Sequence, residues 1–242
     1  MTGIYQINDA PVPNWTPPPV PDATTILTGQ YATLEPLVAD THAALLYQPF
    51  VGHDHVWDFL PYGPFSSSAQ YYRWIREIEM GEGTQFYAIK NHTSGAFEGV
   101  ASFLRIAPEA GSIEVGHINF SPALQKTRAA TEALYLMMGW AFEAGYRRFE
   151  WKCNAMNAGS RRAAQRLGFS YEGVFRQAAV VKGRNRDTAW FAAIDAEWPA
   201  LKEAFGVWLN PANFDAQGRQ NESLADMTRL VRVADDPTLA GS

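Results

Sequence analysis

Two short segments carry residue types suited to chemistry on an anionic ligand. Residues 113–132 read IEVGHINFSPALQKTRAATE, a strand that passes through a tight connection into a helix. The first amides of such a helix lack intrahelical acceptors and carry the positive end of its dipole. A pyrophosphate fits there. Ala129 and Ala130 let the backbone come close, Lys126 and Arg128 add charge, and Thr127 and Thr131 offer hydroxyls. The second segment, 154–169, reads NAMNAGSRRAAQRLGF. A strand ends at Asn154, a polar loop follows, and a short basic helix closes on Leu167-Gly168-Phe169.

The charge pattern points to an anion held at one place. The net charge is −5, yet residues 1–72 hold no Lys or Arg and six acids, while residues 125–186 hold twelve basic and four acidic side chains. A small polyphosphate, such as the head of a nucleotide cofactor, suits this better than nucleic acid, which wants a broader basic surface. The plainer reading is a solvated basic face. A lone cysteine, Cys153, excludes an intrachain disulfide and a multi-cysteine metal cluster, and it reads as a core residue. His53, Asp54 and His55 are the nearest thing to a metal-binding run, but their mixed facing argues for no metal. With no long apolar run and no leader pattern in the first twenty residues, a cytoplasmic protein free of membrane is expected.

The elements that must position these segments follow from periodicity and turn residues. Residues 1–25 form a Pro-rich arm, with six of the fifteen prolines between 11 and 21, and Trp15 is placed to pin it to the domain or to a second copy in a homodimer. Residues 26–37 read as a hairpin around Gly29-Gln30, and Asp40 as the cap of a short helix over 44–47. The aromatic stretch 48–65 reads as a loop before a helix over 69–80. Strands at 86–90, 99–106 and 112–120 make an antiparallel meander. A helix over 129–144, a strand over 149–153 and a helix over 158–167 come next, then strands 171–182 and 187–194 joined by a KGRNR turn, and a helix over 197–208. The tail 211–242 reads as polar and irregular. The order predicts an α+β (mixed α/β) single domain over 26–210, its central sheet mostly antiparallel.

Residues 113–169 resemble the GCN5-related N-acetyltransferase (GNAT) family, and within it the branch that acetylates ribosomal-protein amino termini and related small amines. Gln125-Lys126-Thr127-Arg128-Ala129-Ala130 stands where that family has its pyrophosphate loop, although Arg128 replaces the central glycine. Asn157, Ser160, Gly168 and Phe169 match the following strand and helix. The resemblance extends over about residues 26–195. It implies a twisted sheet flanked by helices, whose fourth and fifth strands, here 112–120 and 149–153, splay to admit an acetyl group. It implies acetyl-CoA as cosubstrate, held by Ile118, Phe120, Gln125, Lys126, Thr127, Arg128, Ala129, Ala130, Thr131, Asn154, Asn157 and Ser160.

The resemblance also suggests roles. Attack of a neutral amine on a thioester needs a base, and Glu114 and His117 stand on the strand facing the substrate. Three positions apart, they point to opposite faces of a regular strand; a bulge would change that. Ser160 is the candidate to protonate the leaving thiolate, because Ala164 occupies the position where many members carry a tyrosine. His53, Asp54, Trp57, Tyr62 and Phe65 are the candidates for the acceptor site, where aromatics and acids hold an ammonium. The acceptor would be a peptide N-terminus or a small-molecule amine. The alternative is a non-catalytic module that senses acyl-CoA on the same fold.

Overall fold

The computed structural model describes residues 9 and 11–239. Eight strands form one sheet: β1 (Leu27–Thr28), β2 (Ala32–Pro36), β3 (Gln85–Asn91), β4 (Phe97–Ala107), β5 (Ser112–Phe120), β6 (Arg148–Asn154), β7 (Ser170–Val181) and β8 (Arg184–Ile194). Their order is β1-β2-β3-β4-β5-β6-β8-β7. Every neighbouring pair is antiparallel except β5 and β6. That one parallel step follows from the long crossover through α3 (Arg128–Glu143). The mixed α+β sheet expected from the pattern is therefore present.

Helices cover both faces. Ile113, Val115, Phe149, Trp151 and Phe191 point to one face, where α3 and α5 (Trp198–Leu209) bury residues such as Met137 and Phe205 against them. Phe86, Ala88 and Val100 point to the other, under α1 (Ala39–Tyr47) and α2 (Ser68–Glu79). Period-two alternation in the strands makes both faces apolar at once. Among the described residues no helix is long and apolar enough to cross a membrane.

Local chemistry sets the helix ends. Ser67, Thr127 and Asn157 each cap a helix by accepting an amide two or three residues inside it, at the starts of α2, α3 and α4 (Ala158–Arg166). Gly168 closes α4 at φ 94, where an added Cβ would come 2.3 Å from Leu201 Cδ2. Three expectations need correction. α1 begins at Ala39 after Val38, so Asp40 lies in its first turn and caps nothing. The turn between β7 and β8 is only Lys182-Gly183, both at positive φ, and residues 184–186 belong to β8. The stretch after Pro211 is not irregular: it contains α6 (Leu224–Arg229), with Leu224 fully buried, and buried Asp236 meets Arg161 of α4 in a two-pronged ion pair at 2.6 and 2.7 Å.

The described part of the N-terminal arm lies on the domain. Trp15 packs over Gly111 and beside Arg147, and the Tyr146 hydroxyl donates to the Pro19 carbonyl. The hairpin after it is tied to α3 by one buried side chain. Glu132 accepts the amides of Gln30, Tyr31 and Ala32, and its carboxylate occupies the space a side chain at Gly29 would need. Truncation would strand these donors beneath the hairpin. Glu132→Ala is expected to lower unfolding free energy by about 3 kcal/mol in urea titrations, with Glu132→Gln losing less.

Candidate functional site

β5 and β6 separate part-way along their length. They pair from Ser112 with Arg148 to Val115 with Trp151, and no further. The cause lies on the other edge of β5. Gly116 pairs with Ser102 and Asn119 with Val100, so His117 and Ile118 together oppose Ala101. This bulge puts His117 at φ 50 and bends the strand away from β6. It also resets the alternation. Glu114 lies opposite Leu104 and Asn119 opposite Val100, so both share the α1/α2 face. The His117 ring lies on that face too, against Phe86 and Tyr62. Glu114 and His117 thus share a face despite their spacing.

Their environments differ. Glu114 is buried and ion-paired to Arg105 at 2.7 Å and to Lys152 at 2.9 Å. Lys152 also holds Glu150, and its ammonium lies 3.8 Å from the centre of the Trp190 ring. Both oxygens of the Glu114 carboxylate are engaged by Arg105 and Lys152. His117 has no acidic partner among the described residues. Its Nδ1 is 2.9 Å from the Tyr62 hydroxyl, with the two rings stacked at 16°. Burial first, then the charges of Arg105 and Arg186, hold its pKa down at about 4. Burial also raises the pKa of Tyr62, which keeps its proton.

On the opposite face stands the helix-terminal loop. Arg128 is the first residue of α3, and the positive φ falls on Lys126. The missing glycine therefore carries no backbone strain. The guanidinium of Arg128 lies between the rings of Tyr31 and Phe214, 4.8 and 4.6 Å from their centres. Several polar side chains here build the loop. Thr127 caps Ala130 and donates to Leu124, while buried Thr131 donates to Thr127 and accepts from Arg166. Gln125 donates to the Phe120 carbonyl, and Asn154 and Asn157 accept the amides of Met156 and Ser160. The backbone amides of Lys126, Arg128 and Ala129 meet no acceptor among the described residues. Such a run of open donors at a helix start suits a pyrophosphate. Ile118 and Phe120 flank the loop, half-buried against the α3 core.

Ser160 lies beside the end of β6. Asn157, not Ser160, caps α4, and the Ser160 hydroxyl accepts from Trp151 Nε1 at 3.0 Å. Cys153 is next to it, a buried free thiol whose pKa burial pushes up. Ala164 is fully buried.

The five acceptor candidates divide. Tyr62 reaches His117. Trp57 is buried among Phe50, Tyr62, Phe65, Tyr71 and Trp74. Phe65 stacks on Trp74. Asp54 is exposed and, with Trp57 and Phe65, lines a cavity of about 260 Å³ that does not include Tyr62 or His117. His53 stands half-exposed at the start of the short helical turn Asp54–Trp57.

A family model described as an acetyltransferase (GNAT) domain matches residues 32–170, more than half of the chain. The chain belongs to the GNAT acetyltransferase family. A crystal structure of a GCN5-related N-acetyltransferase from Brucella melitensis superposes with a TM-score of 0.87 at 42% identity, over 90% of this chain and 100% of that one. A GNAT-family protein from Chromobacterium violaceum does so with a TM-score of 0.75 at 40% identity, over 81% and 98%. An acetyltransferase from Salmonella typhimurium that modifies the N-terminal serine of ribosomal protein L7/L12 shares the fold at 22% identity, with a TM-score of 0.60 over 70% and 99%. A search of curated proteins gives no match. The GNAT match runs from the start of β2 to the start of β7 and holds the splay, the bulge and both helix-terminal loops.

Sequence reasoning missed Arg105, Lys152, Arg186 and Trp190. Trp190 lies inside the expected strand 187–194, and Arg186 continues its alternation with Thr188 and Trp190 but falls outside it when KGRNR is read as turn. The depressed His117 pKa has a thermodynamic consequence. The unfolded ring titrates near 6.5 and the folded one near 4, so the folded state binds fewer protons between them. The resulting stability is present above about pH 6.5 and lost as pH falls toward 4, up to about 3 kcal/mol. Urea midpoints at pH 7.5 and 4.5 should therefore differ less in His117→Gln than in the native protein.

Proposed function

We propose that this protein is an N-acetyltransferase that moves the acetyl group of acetyl-CoA to a primary amine by direct attack in a ternary complex. The observation that carries the reading is the gap between β5 and β6 beyond Val115, with open amides at the start of α3 and His117 at its edge. The cofactor's pyrophosphate takes the amides of Lys126, Arg128 and Ala129, and the thioester lies in the gap. Lys126 adds a charge; Arg128 serves through its amide, since its side chain is held between two rings.

The acceptor approaches from the α1/α2 face. Its nitrogen forms a bond to the thioester carbon, the carbon–sulfur bond breaks, and the sulfur leaves as thiolate. The nitrogen must shed one proton and the thiolate gain one. His117 takes the first, directly or through water. With the ring proton on Nδ1 donated to Tyr62, Nε2 carries the free lone pair, and a pKa near 4 keeps the ring neutral in ordinary buffers. Glu114 serves the site as the anchor of Arg105 and Lys152. Ser160, beside Cys153, supplies the hydrogen bond or proton to the thiolate. Both peptide N-termini and small amines satisfy this chemistry.

Release of free thiol from acetyl-CoA with a pool of amines tests the whole reading. Turnover is expected; coenzyme A binding with no turnover on any amine would favour a sensing module. His117→Gln should lower kcat about 10²-fold. The native pH profile should rise with deprotonation of the acceptor amine and show no protein inflection near 6.5. Ser160→Ala should lower kcat more than it raises the KM for acetyl-CoA, and an unchanged kcat would remove it from the acid role.

A further inference from the structure

Arg186 stands on the acceptor side of the sheet with its charge unmatched. It belongs to β8 and shares a face with Trp190, which pairs opposite Lys152. The residue is half-buried, and its Nε is enclosed without a hydrogen-bond partner; the Trp190 indole nitrogen is in the same condition. Three neighbouring cations of this floor are paired. Arg105 and Lys152 meet Glu114, Lys152 also meets Glu150, and Arg148 meets Glu150 and Glu172. Arg186 has no carboxylate partner among the described residues. At the tip of the same hairpin, Lys182 donates to the Trp57 carbonyl at 3.0 Å, which draws the arm against the 53–65 loop. Arg186 therefore belongs to the acceptor's side of the gap rather than to the loop before α3.

We propose that Arg186 anchors a carboxylate carried by the acceptor, so that the substrate is an amine that also bears an acid. The inference rests on acetyl transfer to an amine at the β5–β6 gap and names the class of that amine. An enclosed guanidinium nitrogen without an acceptor is costly, and an arriving carboxylate removes the cost. The planar fork matches a carboxylate with two parallel hydrogen bonds. The charge of Arg186 also acts on His117, which sets the anchor near the group that receives the amine. Two sources carry this chemistry: a free amino acid, and a peptide with an acidic residue near its N-terminus.

Initial rates with acetyl-CoA on matched acceptors decide the matter. The standard amino acids are compared with their α-carboxamides, and peptides with Asp or Glu after the first residue with their Asn or Gln counterparts. In the native protein kcat/KM should favour the acid member at least about tenfold in one of the two sets, and that set identifies the source. The ratio should fall to near one in Arg186→Gln and be partly kept in Arg186→Lys. If Arg186→Gln does not fold, acids without an amine, tested on the native protein, should inhibit competitively against the acceptor while their amides do not. Equal rates on acids and amides, or an undiminished ratio in Arg186→Gln, would overturn the proposal and leave acetyl transfer standing. Absence of turnover on every amine would overturn both.

Discussion

Beyond Val115 and Trp151 two parallel strands stop sharing hydrogen bonds, and the rest of the site is arranged around that break. Its origin is a single extra residue in β5 where it faces β4. A strand with one surplus residue must bend, and the bend opens the edge that β6 would have taken. The freed backbone on both strands becomes polar lining. The same residue pushes His117 into a left-handed conformation and turns its ring toward Tyr62. One local irregularity thus creates a gap, exposes backbone groups in it and places a titratable ring at its edge.

The two faces of the sheet then take separate tasks. On the α3 side, the polar side chains of the turn spend their hydrogen bonds on one another and leave the amides open. On the α1/α2 side, charges pair across strands: Arg105, Glu114, Lys152, Glu150, Arg148 and Glu172 form a chain from β4 to β7. Buried ions are tolerable when each finds its counter-ion, and such a chain fixes the relative position of the strands that carry it. A gap between two faces with different electrostatics suits a reaction in which two substrates meet from opposite sides.

Packing around this arrangement is mutually supporting. Glu132 ties the first hairpin to α3, and Asp236 ties the last segment to α4 through Arg161. Both helices that border the loops near the gap are thereby held by chain distant in sequence. The first hairpin near one end and α6 near the other are parts of the fold that keeps those helices in place.

Much of this was legible beforehand. Ser67, Thr127 and Asn157, with Gly145 and Gly168, mark helix ends through interactions reaching only three or four residues. Strand alternation marks two buried faces. Residues 113–169, where the family resemblance is strongest, fall within the stretch that the GNAT family model matches. What stayed hidden depends on contacts between distant segments. No residue type in EVGHINF announces a bulge, because the bulge is defined by register against β4. The neighbours of Arg128 and Glu114 are equally invisible: Tyr31 and Phe214 around the one, Arg105 and Lys152 around the other, come from other strands and segments. Propensity and periodicity are local and therefore written in the sequence. Which face a side chain joins and which partner neutralises it are decided only when the sheet assembles.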